Sequence, residues 1–431
     1  MSPYQRDPQD GSEGSTPLNR TTLKRAVAPA LRSAATIGIG LLDFCVPKAR
    51  AVFLAGSPPS EGNVAEIGRL LAARTDADIY WVDAPEESYL RALGIDPTRV
   101  QRLGGVWRPR TVVAYLRSTV VFVTHGVYDA PPWPPRKVVV NLWHGEQAKG
   151  GGLFMPRRRL KSPTSKYLTG SSSELADIKC RLALVTRDRH LLTGNPRTDQ
   201  LFRPATPAQL QSLSVDPALP FVVWMPTFRR ARTADGALAW TNTSDADADM
   251  LLADSLAKGV GRLHRQGVQV VVKPHPLDYT SRDMDNATTV TDDDLRDAQV
   301  PLYSLLGASS GLISDYSSVW IDYLIHPAPI AFYTPDSGSF EEGRGCPPLS
   351  FQTVLPNREL RTESDFDRFA GEVSSPSESY RRERRAAIQR LGLRVSDSVA
   401  EDVWNMLTVR EPSLNEWTKQ TGVRMGKGEA N

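Results

Sequence analysis

The feature that most constrains this chain is a series of short apolar runs that occurs twice. Ala51–Gly56, Ile79–Val82, Thr119–Thr124 and Val138–Leu142 make the first series. Phe221–Met225, Val268–Lys273, Gly311–Ser314 and Ala328–Tyr333 make the second. Runs this apolar, separated by helical stretches, suit parallel strands covered on both faces. The fold class is therefore α/β, with two Rossmann-like domains facing a cleft. Expected boundaries are 50–205 for the N-terminal domain and 206–410 for the C-terminal one, which ends in a helical segment over 377–407. A chain of 431 residues has room for this. Residues 1–20 are polar and read as a disordered tail, and 411–431 as a polar tail. Between 21 and 49, Lys24, Arg25, Arg32 and Lys48 alternate with Leu23, Val27, Leu31, Ile37 and Leu41. That basic amphipathic segment either lies on an anionic membrane surface or packs on the first domain.

Composition narrows the partners. The net charge is only +3, so any anionic partner must be met by local basic patches. Arg157-Arg158-Arg159 with Lys161 and Lys166 is such a run, facing either an anionic polymer or lipid surface or simply solvent. It lacks interleaved aromatics and fits nucleic acid poorly. Cys45, Cys180 and Cys346 suggest neither a disulfide framework nor a zinc site and suit a reducing cytoplasm. Asp292-Asp293-Asp294 reads as a loop rather than a metal motif. No apolar run reaches the roughly 18 residues needed to span a bilayer, and Ile37–Val46, interrupted by Asp43, is not read as a secretion signal.

Ligands of open parallel sheets bind beyond the carboxyl ends of the strands, and there the polar residues gather. Trp143-His144-Gly145 follows 138–142, and Pro226-Thr227-Phe228-Arg229 follows 221–225. Pro274-His275-Pro276 follows 268–273, and Asp315-Tyr316-Ser317-Ser318 follows 311–314. An imidazole at His144 suits a general base, and Gly145 lets a substrate approach the backbone; alone, His144 would read as a buried structural histidine. Ser317-Ser318 opens an expected helix through Ile325, where phosphate oxygens settle or a serine merely caps. Lys273 and His275 bracket a proline and suit a diphosphate, unless Lys273 is a solvated strand-end charge. Arg229 offers a bidentate phosphate contact or a surface arginine. In Gly194-Asn195-Pro196-Arg197-Thr198-Asp199, Arg197 either binds an anionic acceptor or, with Asp199, pins the domain junction.

In this order the endings resemble the CDP-glycerol glycerophosphotransferase family, the teichoic-acid primases and polymerases of bacterial cell walls. The matching residues are Trp143-His144-Gly145, Gly194–Asp199, Met225–Arg229, His275-Pro276 and Ile313–Ser318, followed by Asp322, Pro329, Tyr333, Asp336 and Arg344-Gly345. The resemblance runs from about 137 to 345. It implies a GT-B fold with the CDP donor in the C-terminal domain. It also implies transfer without metal or cofactor, and peripheral attachment to the cytoplasmic face of the membrane. By that likeness His144 and His275 are catalytic. Thr227, Arg229, Lys273, His275, Ser317, Ser318 and Asp322 hold CDP-glycerol or a related CDP-polyol. Gly145, Lys149, Asn195, Arg197 and Asp199 meet a lipid-linked acceptor. Two departures fall on the acceptor side: Glu146-Gln147-Ala148-Lys149 stands where the family commonly has Thr-Pro-Leu-Lys, and Gly-Asn-Pro-Arg-Thr-Asp where it has Gly-Tyr-Pro-Arg-Asn-Asp. The competing readings are a GT-B glycosyltransferase using a nucleotide-sugar and a non-catalytic wall-polymer-binding protein.

Overall fold

The structure is a computed structural model. It describes residues 34–128, 137–146, 165–227, 230–233, 236–239, 246–275, 284–335, 337 and 349–418. Arg229, Lys149, the basic run 157–161, Pro276, Asp336, Arg344 and residues 1–33 lie outside the described residues.

The first lobe is a parallel sheet of β1 (Ala49–Ala55), β2 (Asp78–Val82), β3 (Val100–Leu103), β4 (Ser118–Val123), β5 (Val138–Asn141), β6 (Tyr167–Gly170) and β7 (His190–Leu192), in the order β3-β2-β1-β4-β5-β6-β7. The second lobe begins with β8 (Phe221–Trp224). It continues through an antiparallel hairpin of β9 (Arg230–Thr233) and β10 (Gly236–Ala239). Its sheet adds β11 (Gln269–Val272), β12 (Ala287–Thr289), β13 (Gly311–Ser314) and β14 (Ile330–Phe332), in the parallel order β12-β11-β8-β13-β14. Both sheets reverse their winding beside their first strand, at β1/β4 and at β8/β13. Those switch points are where a crevice opens for ligands.

Every expected apolar run is a strand. β3, β6, β7 and β12 carried no such run, because each has three or four residues mixed with polar ones: VQRL, YLTG, HLL and ATT. The helix Gly62–Arg74 covers β1 and β2 through Val64, Ile67 and Leu71. Asp292-Asp293-Asp294 is not a loop. It is the first turn of a helix, Asp292–Asp297, closed by a capping box with Thr291, where acidic residues favour the helix dipole.

The end of the chain departs from the expected boundary at 410. The helix Glu378–Arg390 stays with the second lobe, where Ala387 and Leu391 join its core and the Tyr380 hydroxyl donates to the Ala328 carbonyl, 2.7 Å. The chain then crosses over. Helix Val399–Arg410 lays Val399, Ala400, Val403, Trp404 and Leu407 into the first-lobe core beside Val64 and Leu71. Residues 412–417 are no polar tail at their start, since Leu414 and Trp417 are buried in the same core. An apolar stripe at helical spacing must be covered, but its period does not say by which lobe. Truncating Trp404 to alanine would cost about 3–5 kcal/mol.

Residues 34–45 are helical. Ile39 is buried against the first lobe, as is Asp43, whose carboxylate pairs with Lys48 (2.7 Å) and the buried Lys137 (2.5 Å). Ile37, Leu41, Leu42 and Phe44 on the other side are exposed. No described helix is long and apolar enough to cross a membrane.

Candidate active site

The first-lobe side of the site is the loop after β5. Trp143 has φ +56 and Gly145 φ +135. The first conformation costs a non-glycine residue about 1–3 kcal/mol and persists only where the surroundings dictate it. Here they do. Thr169 Oγ1 donates to the Leu142 carbonyl (3.1 Å), and the Trp143 N–H donates to Asn141 Oδ1 (2.8 Å). Asn63 Nδ2 donates to the Trp143 carbonyl (3.2 Å), and Arg197 Nη1 to the His144 carbonyl (3.2 Å). The loop presents an exposed His144 whose ring stacks on Trp143 at 5.1 Å and on His125 at 4.5 Å.

His125 was not among the expected site residues. It follows β4 as Thr124-His125-Gly126, the same strand–His–Gly signal as at His144, and it sits at the first-lobe switch point. Its Nδ1 lies 3.0 Å from Thr124 Oγ1, and that hydroxyl oxygen accepts from the Ser57 N–H beyond β1 (3.1 Å).

Across the lobe boundary, Gly145 abuts Ser318. A Cβ on Gly145 would lie 2.6 Å from Ser318 Oγ and 2.9 Å from Arg197 Nη2. Glycine is therefore required twice, by its φ and by this approach. Ser317 and Ser318 are half-buried, and Ser318 makes no side-chain cap to the helix Val319–Tyr323. At the second-lobe switch point, Asp315 ties two strand ends together. It accepts from the Thr227 N–H and hydroxyl, both 2.7 Å, and from the Ser317 N–H, 3.1 Å. Thr227, expected as a donor ligand, is buried and engaged there, and Asp315 is the supporting residue that was missed. His275 is half-buried beyond β11 on the same sheet edge. The Lys273 ammonium, expected on a diphosphate, pairs with Asp292 (2.9 Å) and donates to the Pro274 carbonyl (3.0 Å).

Three other expected ligands, Asn195, Arg197 and Asp322, form an interlobe brace. Arg197 Nε and Nη2 donate to Asp322 Oδ2, as does the Tyr303 hydroxyl (2.6 Å), and Asn195 Nδ2 donates to Asp322 Oδ1 (2.7 Å). Arg197 Nη1 reaches Glu61 Oε1 (3.4 Å), and the Arg197 N–H donates to Asn63 Oδ1 (3.0 Å). Burial works against the charge of Arg197, but Tyr303, Asp322 and Glu61 outweigh it and hold its pKa above the ordinary value. Burial raises the Glu61 carboxyl, with Arg197 opposing. Asp199 accepts from the Val399 and Ala400 N–H groups (2.6 and 3.0 Å), anchoring the crossing helix, and burial pushes its carboxyl up to about 7. Asn195, Arg197, Asp199 and Asp322 thus make these bonds within the protein, with Arg197 in the junction-pinning position.

Similar proteins agree with this architecture. A profile of the family described as CDP-glycerol:poly(glycerophosphate) glycerophosphotransferase matches residues 42–407. The teichoic acid glycerol-phosphate primase of Bacillus subtilis (strain 168) is 26% identical over 211 residues, 49% of this chain and 49% of the primase. The chain thus aligns with about half the length of that curated relative. Two structures of the wall teichoic acid polymerase TagF share the fold, with TM-scores of 0.65 and 0.63 at 16% identity, covering 92% and 91% of this chain and 98% of each TagF chain. Two parallel-sheet lobes of GT-B type that meet at a histidine loop, and a profile spanning most of the sequence, lead to one conclusion: the chain belongs to the CDP-glycerol:poly(glycerophosphate) glycerophosphotransferase family.

Proposed function

We propose that this chain transfers glycerol phosphate from CDP-glycerol to a lipid-linked or polymer acceptor in teichoic-acid-type synthesis, releasing CMP. The observation that carries the reading is the meeting of Gly145 and Ser318, which joins the His144 loop of one lobe to the serine pair of the other. An acceptor hydroxyl gives its proton to His144 Nδ1 or Nε2. Its oxygen attacks the glycerol-bearing phosphorus in line as the bond to the CMP oxygen breaks. Ser317, Ser318 and His275 meet the charge on the leaving phosphate, and rigid positioning supplies much of the rate. The family description names the donor and the polymer, and a TagF structure is described with CDPG; both support this donor.

The same reading puts the chain on an anionic membrane surface as a peripheral protein. The exposed side chains of Ile37, Leu41, Leu42 and Phe44 support it, since an apolar helix face of this kind lies in the interface plane. Incubation of the chain with CDP-glycerol, CDP-ribitol or UDP-sugars and an acceptor tests the chemistry. CMP release with CDP-glycerol is expected, and UDP release in its place would overturn the reading.

A further inference from the structure

Glu146 is where this sequence leaves the family pattern, and among the described residues it is the last fastening of the His144 loop. Its Oε1 accepts from the Ser171 N–H (2.7 Å), the Ser171 hydroxyl (3.1 Å) and Lys179 Nζ (2.9 Å). Both partners of the Glu146–Lys179 pair are fully buried, 0% exposed on each side. Ser171 follows β6, and Lys179 lies on the helix Ala176–Ala183. The pair therefore ties the loop after β5 to the neighbouring strand and helix. A Cβ on Gly170 would lie 3.2 Å from Lys179 Nζ and 2.5 Å from His190 Nε2, so three ionisable side chains converge under the loop. Glu146 Oε2 and His190 Nε2 are buried with no hydrogen-bond partner among the described residues.

A buried ion pair is an uneconomical way to gain stability, because desolvation offsets most of its attraction; its best use is to specify geometry. The geometry here needs specifying. Residues 143 and 145 both hold positive φ, and the other fastenings act on Leu142, Trp143 and the His144 carbonyl. None of these holds the loop beyond Gly145, whereas Glu146 does. We infer that the buried Glu146–Lys179 pair is a positioning clamp that sets where the His144 imidazole stands relative to the second lobe. The inference rests on the proposed role of His144 as the base.

Steady-state kinetics on the full chain test it, with CDP-glycerol as the varied substrate and thermal unfolding measured alongside. Glu146→Gln and Lys179→Met each break the pair, and the double variant removes both charges and leaves no buried ion unpaired. The clamp predicts that kcat falls roughly tenfold to a hundredfold in folded enzyme, in line with a displacement of the reacting group by about 1 Å. KM for CDP-glycerol stays within about threefold, because the donor is held by the other lobe. In the double variant the unfolding midpoint recovers while kcat stays low. A double variant with wild-type midpoint and wild-type kcat would overturn the clamp, as would single variants whose kcat falls only with the unfolded fraction. His144→Ala separates the two ideas. Wild-type kcat there defeats the base reading, whereas loss of kcat there with full activity in the folded Glu146 variants defeats the clamp alone.

Discussion

Arg197 donates through both Nε (2.9 Å) and Nη2 (2.6 Å) to one carboxylate oxygen of Asp322, a residue 125 positions further along the chain. The pair is buried, with Arg197 side chain 11% and Asp322 0% exposed, and it closes the junction of the two lobes. Removing one partner strands the other in a low-dielectric setting at a cost of about 3–5 kcal/mol. Asp322→Ala should therefore lower the midpoint of urea or thermal unfolding sharply. Arg197→Lys should not rescue function, because one ammonium cannot reach Asp322, Glu61 and the His144 carbonyl together.

Gly145→Ala should lower activity and stability together. The methyl would meet Ser318 Oγ and Arg197 Nη2, and φ +135 is disfavoured for any residue with a Cβ, about 1–3 kcal/mol. Adding Ser318→Gly should recover only part of the loss, because the backbone strain and the arginine contact remain. Unfolding midpoints and kcat of the single and double variants check this.

His144→Ala should reduce kcat by about 10²–10⁴-fold, the usual worth of a positioned general base. His125 should matter less. Its stack on His144 is worth at most about tenfold in kcat by the strength of aromatic pairs. His125→Ala should show that loss, while His125→Phe keeps the stack and most of the rate. Equal kcat for the Ala and Phe variants would show that the stack contributes nothing.

His190 predicts a pH dependence of stability. Burial, reinforced by Lys179, pushes its pKa down to about 4 from 6.5. The unfolded chain therefore binds the extra proton first. Stability from the neutral imidazole is complete above about pH 6.5, is lost as pH falls toward 4, and does not fall further below that, up to about 3 kcal/mol in all. His190→Gln should flatten this limb of a stability–pH curve measured by urea unfolding. His326, held down to about 4 by burial and by Arg384, should keep the remainder.

The strand ends that carry His144, His275 and Ser317-Ser318 were legible because an apolar run stops abruptly at a polar residue, and that change survives any detail of packing. His125 carries the same signal one strand earlier, where the apolar run ends at Thr124. Asn195 and Asp322 were legible as polar residues that mattered, but as ligands, while Arg197 stood between acceptor ligand and junction pin. Nothing local reveals that they are partners, since their hydrogen bonds join positions more than a hundred residues apart. Lys273 and Asp292 show the same non-local pairing: an expected phosphate ligand and an expected loop residue are one ion pair.

By itself, then, the sequence determined two parallel α/β lobes, the places of their apolar strands, and the edge at which polar groups collect. Hydrophobic period and strand-end chemistry are local properties, and these follow from them. Only the tertiary structure decided that the helix Val399–Arg410 completes the first lobe, that Arg197 and Asp322 brace the junction, and that Glu146 lies buried on Lys179 beneath the His144 loop. Each of these depends on which buried charge or apolar stripe finds its complement across space. That choice is made by the balance of desolvation against pairing when the lobes meet.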